Sequence, residues 1–211
     1  MVKVCSSIYP KESNYNEYFD NFPYSLSSFQ KHAVESIVEG HHVLVTAHTG
    51  SGKTLPAEFA IKHFTSKNKK VIYTSPIKAL SNQKYYEFTQ KFPDISIGLF
   101  TGDIKTNPEA DVLIMTTEIL MNSLFNRANN SNQANSTNMS FQIDFDNELA
   151  AVVFDEVHYI NDEHRGQVWE KCIMMLPEHV QKIMLSATID NPKRFAEWCE
   201  SIYPESKRIV Y

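Results

Sequence analysis

The stretch "VLVTAHTGSGKT", residues 43–54, decides the fold. Val43 to Ala47 form a short apolar run that breaks into a turn bearing two glycines and ends on a lysine and a threonine. Such a run suits a strand covered on both faces. Gly50 and Gly52 let the backbone wrap closely, so that successive N–H groups converge. A nest of that kind at a helix N-terminus binds phosphate. Thr49, Gly50, Ser51, Gly52, Lys53 and Thr54 are therefore the candidate nucleoside-triphosphate residues. Lys53 would reach the β- and γ-phosphates and the Thr54 hydroxyl would hold Mg²⁺. The common pattern has glycine where Ala47 stands, so the match is to a variant.

Five further apolar runs follow: "VIYTS" (71–75), "ISIGLF" (95–100), "VLIMTT" (112–117), "AVVFDE" (151–156) and "KIMLSAT" (182–188). Between most of them lie helix-like segments. Phe29, Ala33 and Ile37 share a helical face, as do Tyr85, Phe88 and Phe92, and Trp169, Cys172, Ile173 and Leu176. Asn191 and Pro192 form an N-cap and first-turn pair for a last helix. Alternating strands and helices predict an α/β fold, a mainly parallel sheet with helices on both faces. The segment "NRANNSNQANSTNMS" (126–140) is almost free of large apolar residues and reads as a flexible surface insertion, extending to about residue 147.

The bulk numbers exclude several classes. A net charge of −5 gives no overall footprint of nucleic-acid binding, so such a function must rest on local motifs. Cys5, Cys172 and Cys199 fit neither a disulfide framework nor a zinc spacing. No apolar run approaches a membrane span, and the first ten residues have no apolar signal core, so an intracellular protein is expected. His41, His42 and His48 lack a metal-like set of partners and read as surface or turn residues.

In open α/β sheets ligands bind at the carboxyl ends of the strands, so the polar motifs ending each run should meet on one edge. "AVVFDE" ends on two acids, an arrangement that is costly unless something positive sits there. A metal–nucleotide complex supplies that charge. Asp155 would bind the Mg²⁺, directly or through water, and Glu156 could orient and deprotonate the attacking water. Ser186 and Thr188 end another strand, and their hydroxyls could bond the acidic pair.

In this order, "AHTGSGKT", "DEVH" and "SAT" resemble the DExH-box helicases of superfamily two. With "SPIKALSNQKYYEF" (75–88), "TGDIKTNPEADVLIMTTEIL" (101–120), "DEVHYINDEHRGQVWE" and "MLSATIDNPKRFAEW" (184–198), the chain is similar to the Ski-two-like RNA helicases from about Tyr24 onward. The resemblance implies a RecA-like first motor domain over 23–211 behind a lead segment, 1–22. It implies ATP-driven translocation on single-stranded RNA in the 3′-to-5′ direction, with Mg²⁺, and delivery of RNA to an exosome-type assembly. Gln30 would read the adenine edge and Tyr24 would stack on the ring. Pro76, Lys78 and Ala79, then Thr101 and Gly102, then Thr116, Thr117 and Glu118 would form the RNA path. His158, with Ser186 and Thr188, would couple hydrolysis to motion.

The residue types also make sense by themselves. Backbone N–H groups, hydroxyls and a lysine grip phosphates without reading bases. Two departures stand out: the Asn-rich insertion, and the end of the chain after "RIVY", where the resemblance implies that the second motor domain with its arginine fingers is absent. Two rivals stay open, a DNA helicase of the same superfamily and a non-catalytic nucleotide-gated adaptor.

Overall fold

Among the described residues, a sheet of eight strands runs in the order β4-β3-β5-β2-β6-β7-β1-β8. The structure, a computed structural model, describes residues 2–130, 143–202 and 209–210. In chain order the elements are α1 (Asn16–Phe19), α2 (Ser28–Val38), β1 (His42–Thr46), α3 (Leu55–Thr65), β2 (Lys70–Ser75), α4 (Lys78–Lys91), β3 (Ile97–Phe100) and β4 (Lys105–Thr106). They continue with β5 (Val112–Thr116), α5 (Thr117–Asn130), β6 (Leu149–Phe154), a 3₁₀ turn (Val157–Asn161), α6 (Gly166–Met175), β7 (Gln181–Ser186), α7 (Pro192–Ile202) and β8 (Ile209–Val210). All pairings are parallel except β3 with β4.

The strands read as unbroken apolar runs because each face of the sheet carries its own core. Val43, Val45, Val71, Tyr73, Val153 and Leu185 point to one side, against Ala33 and Ile37 of α2, Phe59 of α3 and Phe88 of α4. Leu44, Ile72, Val152, Phe154 and Met184 point to the other, against Leu120 of α5, Trp169 of α6 and Cys199 of α7. Alternate residues thus leave water in opposite directions, and neither set can be polar. The helical faces anticipated from Phe88, Phe92, Trp169, Cys172, Ile173 and Leu176 are buried. Asn191 caps α7 with its side-chain oxygen, which accepts from the Arg194 N–H at 3.2 Å.

Three expectations are revised. The lead segment is not outside the domain: Tyr9 and Phe19 are buried in the first core. The Asn-rich insertion is narrower than 126–147. Residues 126–130 continue α5, Ile143 and Phe145 are buried in the second core, and Arg127 pairs with Asp146 at 2.6 Å; the intervening 131–142 lie outside the described residues. His42 is no surface residue but is buried in β1, where its Nδ1 accepts from the Lys182 N–H at 3.0 Å. As expected, α3 opens at Leu55, directly after the phosphate-loop motif.

His63 on α3 predicts how stability should follow pH. Its ring stacks on Phe59 at 5.3 Å, and Lys67 donates to its Nε2 at 2.8 Å. Burial, and then the nearby Lys67 charge, push its pKa down from 6.5 to about 4. The unfolded chain therefore binds the proton more readily, and the folded state is favoured above the unfolded pKa. That stability is lost as pH falls through 6.5 toward about 4. The melting temperature should drop between pH 7 and pH 4, and His63→Gln should flatten part of the drop. Identical pH profiles for the two proteins would contradict the assignment.

Candidate active site

Every polar motif sits at the carboxyl end of a parallel strand, and the strand order sorts the motifs into two groups. The phosphate loop after β1, Ser186 at the end of β7 and Asp155–Glu156 after β6 lie together, because β6, β7 and β1 are neighbours. Ser75–Pro76 after β2, Thr116 at the end of β5 and Thr101–Gly102 after β3 form the second group on β3, β5 and β2. The groups meet where β2 pairs with β6.

In the first group, Gly50 and Gly52 take φ of 85° and 81°, which makes the tight loop possible. Gly52 has a second reason: a Cβ there would lie 2.6 Å from Gln30 Nε2. Ala47 is not among the residues with positive φ, so its departure from the common glycine carries no backbone cost. The Ser51 hydroxyl is buried without a partner among the described residues, an orphan polar atom in the loop that would cradle phosphate. Lys53 is buried and its Nζ lies 3.0 and 3.2 Å from the two Glu156 oxygens.

Asp155 is also buried. Its Oδ2 accepts from the Tyr73 hydroxyl at 2.5 Å and its Oδ1 from the Glu156 N–H at 3.0 Å. Burial pushes the Asp155 carboxyl above its ordinary range; the Tyr73 bond opposes this and the Glu156 charge adds to it. Tyr73 is wholly buried, and burial, then the Asp155 charge, hold its phenol far above the usual value. Glu156 adopts left-handed backbone, φ 55° and ψ 48°, a conformation uncommon away from glycine. That turn bends the acid out of the strand line and over Lys53. His158 Nδ1 lies 3.4 Å from Glu156 and 3.5 Å from the Ser186 hydroxyl.

The cluster fits a magnesium nucleotide. Among the described residues no group of three or more His, Cys, Asp or Glu could hold a metal alone. One hydroxyl, Thr54, and one carboxylate, Asp155, would leave the remaining positions to phosphate and water, as Mg²⁺ prefers.

Several anticipated contacts take a different form. The loop N–H groups do not all point at a ligand: Ser51 N–H donates to the His48 carbonyl at 3.2 Å. Gln30 reaches the phosphate loop, but both amide atoms are engaged within the chain. Its Oε1 accepts from the Ser27 N–H at 2.9 Å and its Nε2 donates to the Gly52 carbonyl at 3.2 Å. Tyr24 is exposed, with its ring 6.1 Å from Phe22. Ser186 meets His158 and the Thr188 carbonyl rather than the carboxylates, and Thr188 is exposed.

In the second group, Pro76, Lys78, Gly102, Thr116 and Glu118 line one open groove of about 490 Å³. Ala79 is exposed next to Lys78. Thr101, Thr116 and Thr117 are all buried, and the Thr117 hydroxyl donates to the Ser75 carbonyl at 3.4 Å, tying strand ends together. Lys78 pairs with Asp103 at 2.5 Å. Sequence reasoning missed Ile119, Asn122 and Arg165, which line the same groove. It also missed Tyr73, although a tyrosine inside an aliphatic strand signals a hydroxyl needing a buried partner.

Comparison with known proteins agrees with this geometry. The family model described as DEAD/DEAH box helicase matches residues 27–195. The antiviral helicase SKI2 of Saccharomyces cerevisiae is 47% identical over 192 residues, covering 89% of this chain and 14% of that protein. The exosome RNA helicase MTR4 of Homo sapiens is 42% identical over 190 residues, 90% of this chain and 17% of that protein. The chain thus spans less than a fifth of the length of these relatives. Among solved structures, the Mycobacterium smegmatis helicase Lhr bound to ssDNA and AMP-PNP superposes with a TM-score of 0.67 and 26% identity, over 94% of this chain and 27% of that one. The family match runs from the start of α2 into α7 and takes in every strand end that carries a polar motif, and on it this chain belongs to the DEAD/DEAH box helicase family.

Proposed function

We propose that this chain is the ATP-binding motor domain of an ATP-dependent RNA helicase that couples hydrolysis to 3′-to-5′ translocation on single-stranded RNA. The observation that carries the reading is the sorting of the sheet edge: a lysine–carboxylate cluster on β6, β7 and β1, beside a groove on β3, β5 and β2. Two ligands could bind side by side on one rigid edge, with β2 and β6 between them.

In this reading Thr49 to Thr54 wrap the phosphates. Lys53 leaves Glu156 for the β- and γ-phosphate oxygens, and Glu156, released, orients and deprotonates the attacking water. Thr54 and Asp155 hold Mg²⁺, which supplies charge neutralisation on the phosphates when bound. Tyr24 stacks on adenine, and Gln30 reads its edge by exchanging one of its internal bonds. His158, between Glu156 and Ser186, carries the change toward a second motor domain, with Thr188 beside it. Pro76, Lys78, Ala79, Gly102, Thr116 and Glu118 face the RNA backbone, and Thr101 and Thr117 brace the strand ends beneath.

The similarity to MTR4, an exosome RNA helicase, supports RNA as the strand and an exosome-type decay assembly as the partner. An intracellular setting belongs to the same proposal; among the described residues no helix is long and apolar enough to cross a membrane. The Lhr likeness favours a second reading, with DNA as the strand. Competition between matched single-stranded RNA and DNA for the chain separates them. RNA is expected to displace DNA at equal concentration through its 2′-hydroxyls. DNA that competes as well or better would overturn the RNA assignment.

A further inference from the structure

The acid-rich stretch after Glu156 contains one cation, Arg165, that the reading above leaves unused. It stands at the N-cap of α6, exposed, and lines the groove together with Lys78, the first residue of α4. No hydrogen bond or ion pair holds its side chain among the described residues. The other groove cation, Lys78, is already paired with Asp103 at 2.5 Å, and the groove also contains the Glu118 carboxylate. Arg165 is thus the groove cation with no ion pair among the described residues, although the Asp162 carboxylate lies near enough to feel its charge.

Its backbone is fixed. The Asp162 carboxylate accepts from the His164 and Arg165 N–H groups, each at 2.9 Å. The Gly166 N–H donates to the Asp162 carbonyl at 2.8 Å. A Cβ on Gly166 would lie 2.1 Å from the Ile160 carbonyl oxygen, so glycine alone allows α6 to close against the 3₁₀ turn here. The turn that begins at Glu156 therefore ends by presenting a guanidinium to the groove. A planar fork of donors on a rigid base suits bidentate capture of a phosphodiester. A chain of net charge −5 must grip a polyanion with local cations of this kind.

We infer that Arg165 is an RNA-binding residue that clamps one phosphate of the strand in this groove, set in register with the nucleotide cluster by the turn running from Glu156 to Gly166. The inference rests on the proposed RNA reading. It also ties strand grip to the nucleotide site covalently, since both ends of that turn are anchored.

The test is the affinity of the 211-residue chain, Arg165→Ala and Arg165→Lys for single-stranded oligouridylate across a series of salt concentrations, with Lys78→Ala as a second variant. Melting temperatures of all four should agree, since the Arg165 side chain is exposed. Arg165→Ala should weaken binding by about tenfold, the scale of a hydrogen bond to a charged group. It should also lower the slope of log affinity against log salt by about 0.7, the value for one phosphate of a single strand. Arg165→Lys should keep the slope and lose part of the affinity. An unchanged affinity and slope in Arg165→Ala, with Lys78→Ala weakened, would overturn the inference and leave the RNA reading standing. No binding by the unsubstituted chain at low salt would remove both.

Discussion

Lys53→Ala is expected to weaken binding of Mg-ATP by roughly ten- to a hundredfold, the range set by loss of a hydrogen bond to a charged group worth about 1.5 to 3 kcal/mol. The Lys53 ammonium is buried and aimed across the loop at Glu156, 3.0 Å away. Phosphate oxygens entering the loop would compete for it as a second, more highly charged acceptor. Alanine removes the cation and leaves Glu156 without its partner, but that carboxylate keeps a quarter of its side-chain surface exposed and can be solvated. The substitution should therefore act on nucleotide affinity far more than on the melting temperature. Equal Mg-ATP affinity for the two proteins would remove Lys53 from the site.

Glu156→Gln should separate binding from hydrolysis. The glutamate holds Lys53 at 3.0 Å, so it opposes a phosphate for the same cation. Removing its charge frees Lys53, and Mg-ATP affinity should hold or rise. Turnover should fall by about 10² to 10⁴-fold, the contribution of a positioned general base. Measurement of both quantities on one preparation is decisive, because a merely structural role would lower them together. A loss of affinity with unchanged turnover per bound nucleotide would show that Glu156 does not act on the water.

Most of the architecture is legible in the apolar runs. All six lead to strands, because a run without alternation can only be covered on both faces, and the two cores meet that demand. The two strands that were not anticipated, β4 and β8, have two residues each and carry no pattern long enough to read. The site was legible in part. Residue types at strand ends pointed to Lys53, Asp155 and Glu156, and their mutual geometry follows from strand order. What the sequence could not convey is which groups satisfy one another across the fold. Gln30 is engaged by Ser27 and Gly52, and the Ser186 hydroxyl turns to His158. Those partners lie 3, 22 and 28 positions away in the chain, and the last two meet only through tertiary packing. Tyr73 and Asp155 are 82 positions apart and touch only because β2 pairs with β6.

The central claim is that the phosphate loop and the Asp155–Glu156 pair form one magnesium-nucleotide site. Calorimetric titration of ATP into the chain, with Mg²⁺ present and with Mg²⁺ chelated, tests it most directly. One nucleotide should bind per chain, and affinity should drop when Mg²⁺ is removed. Binding of the same strength with and without Mg²⁺, or no binding of Mg-ATP at millimolar concentration, would contradict the account.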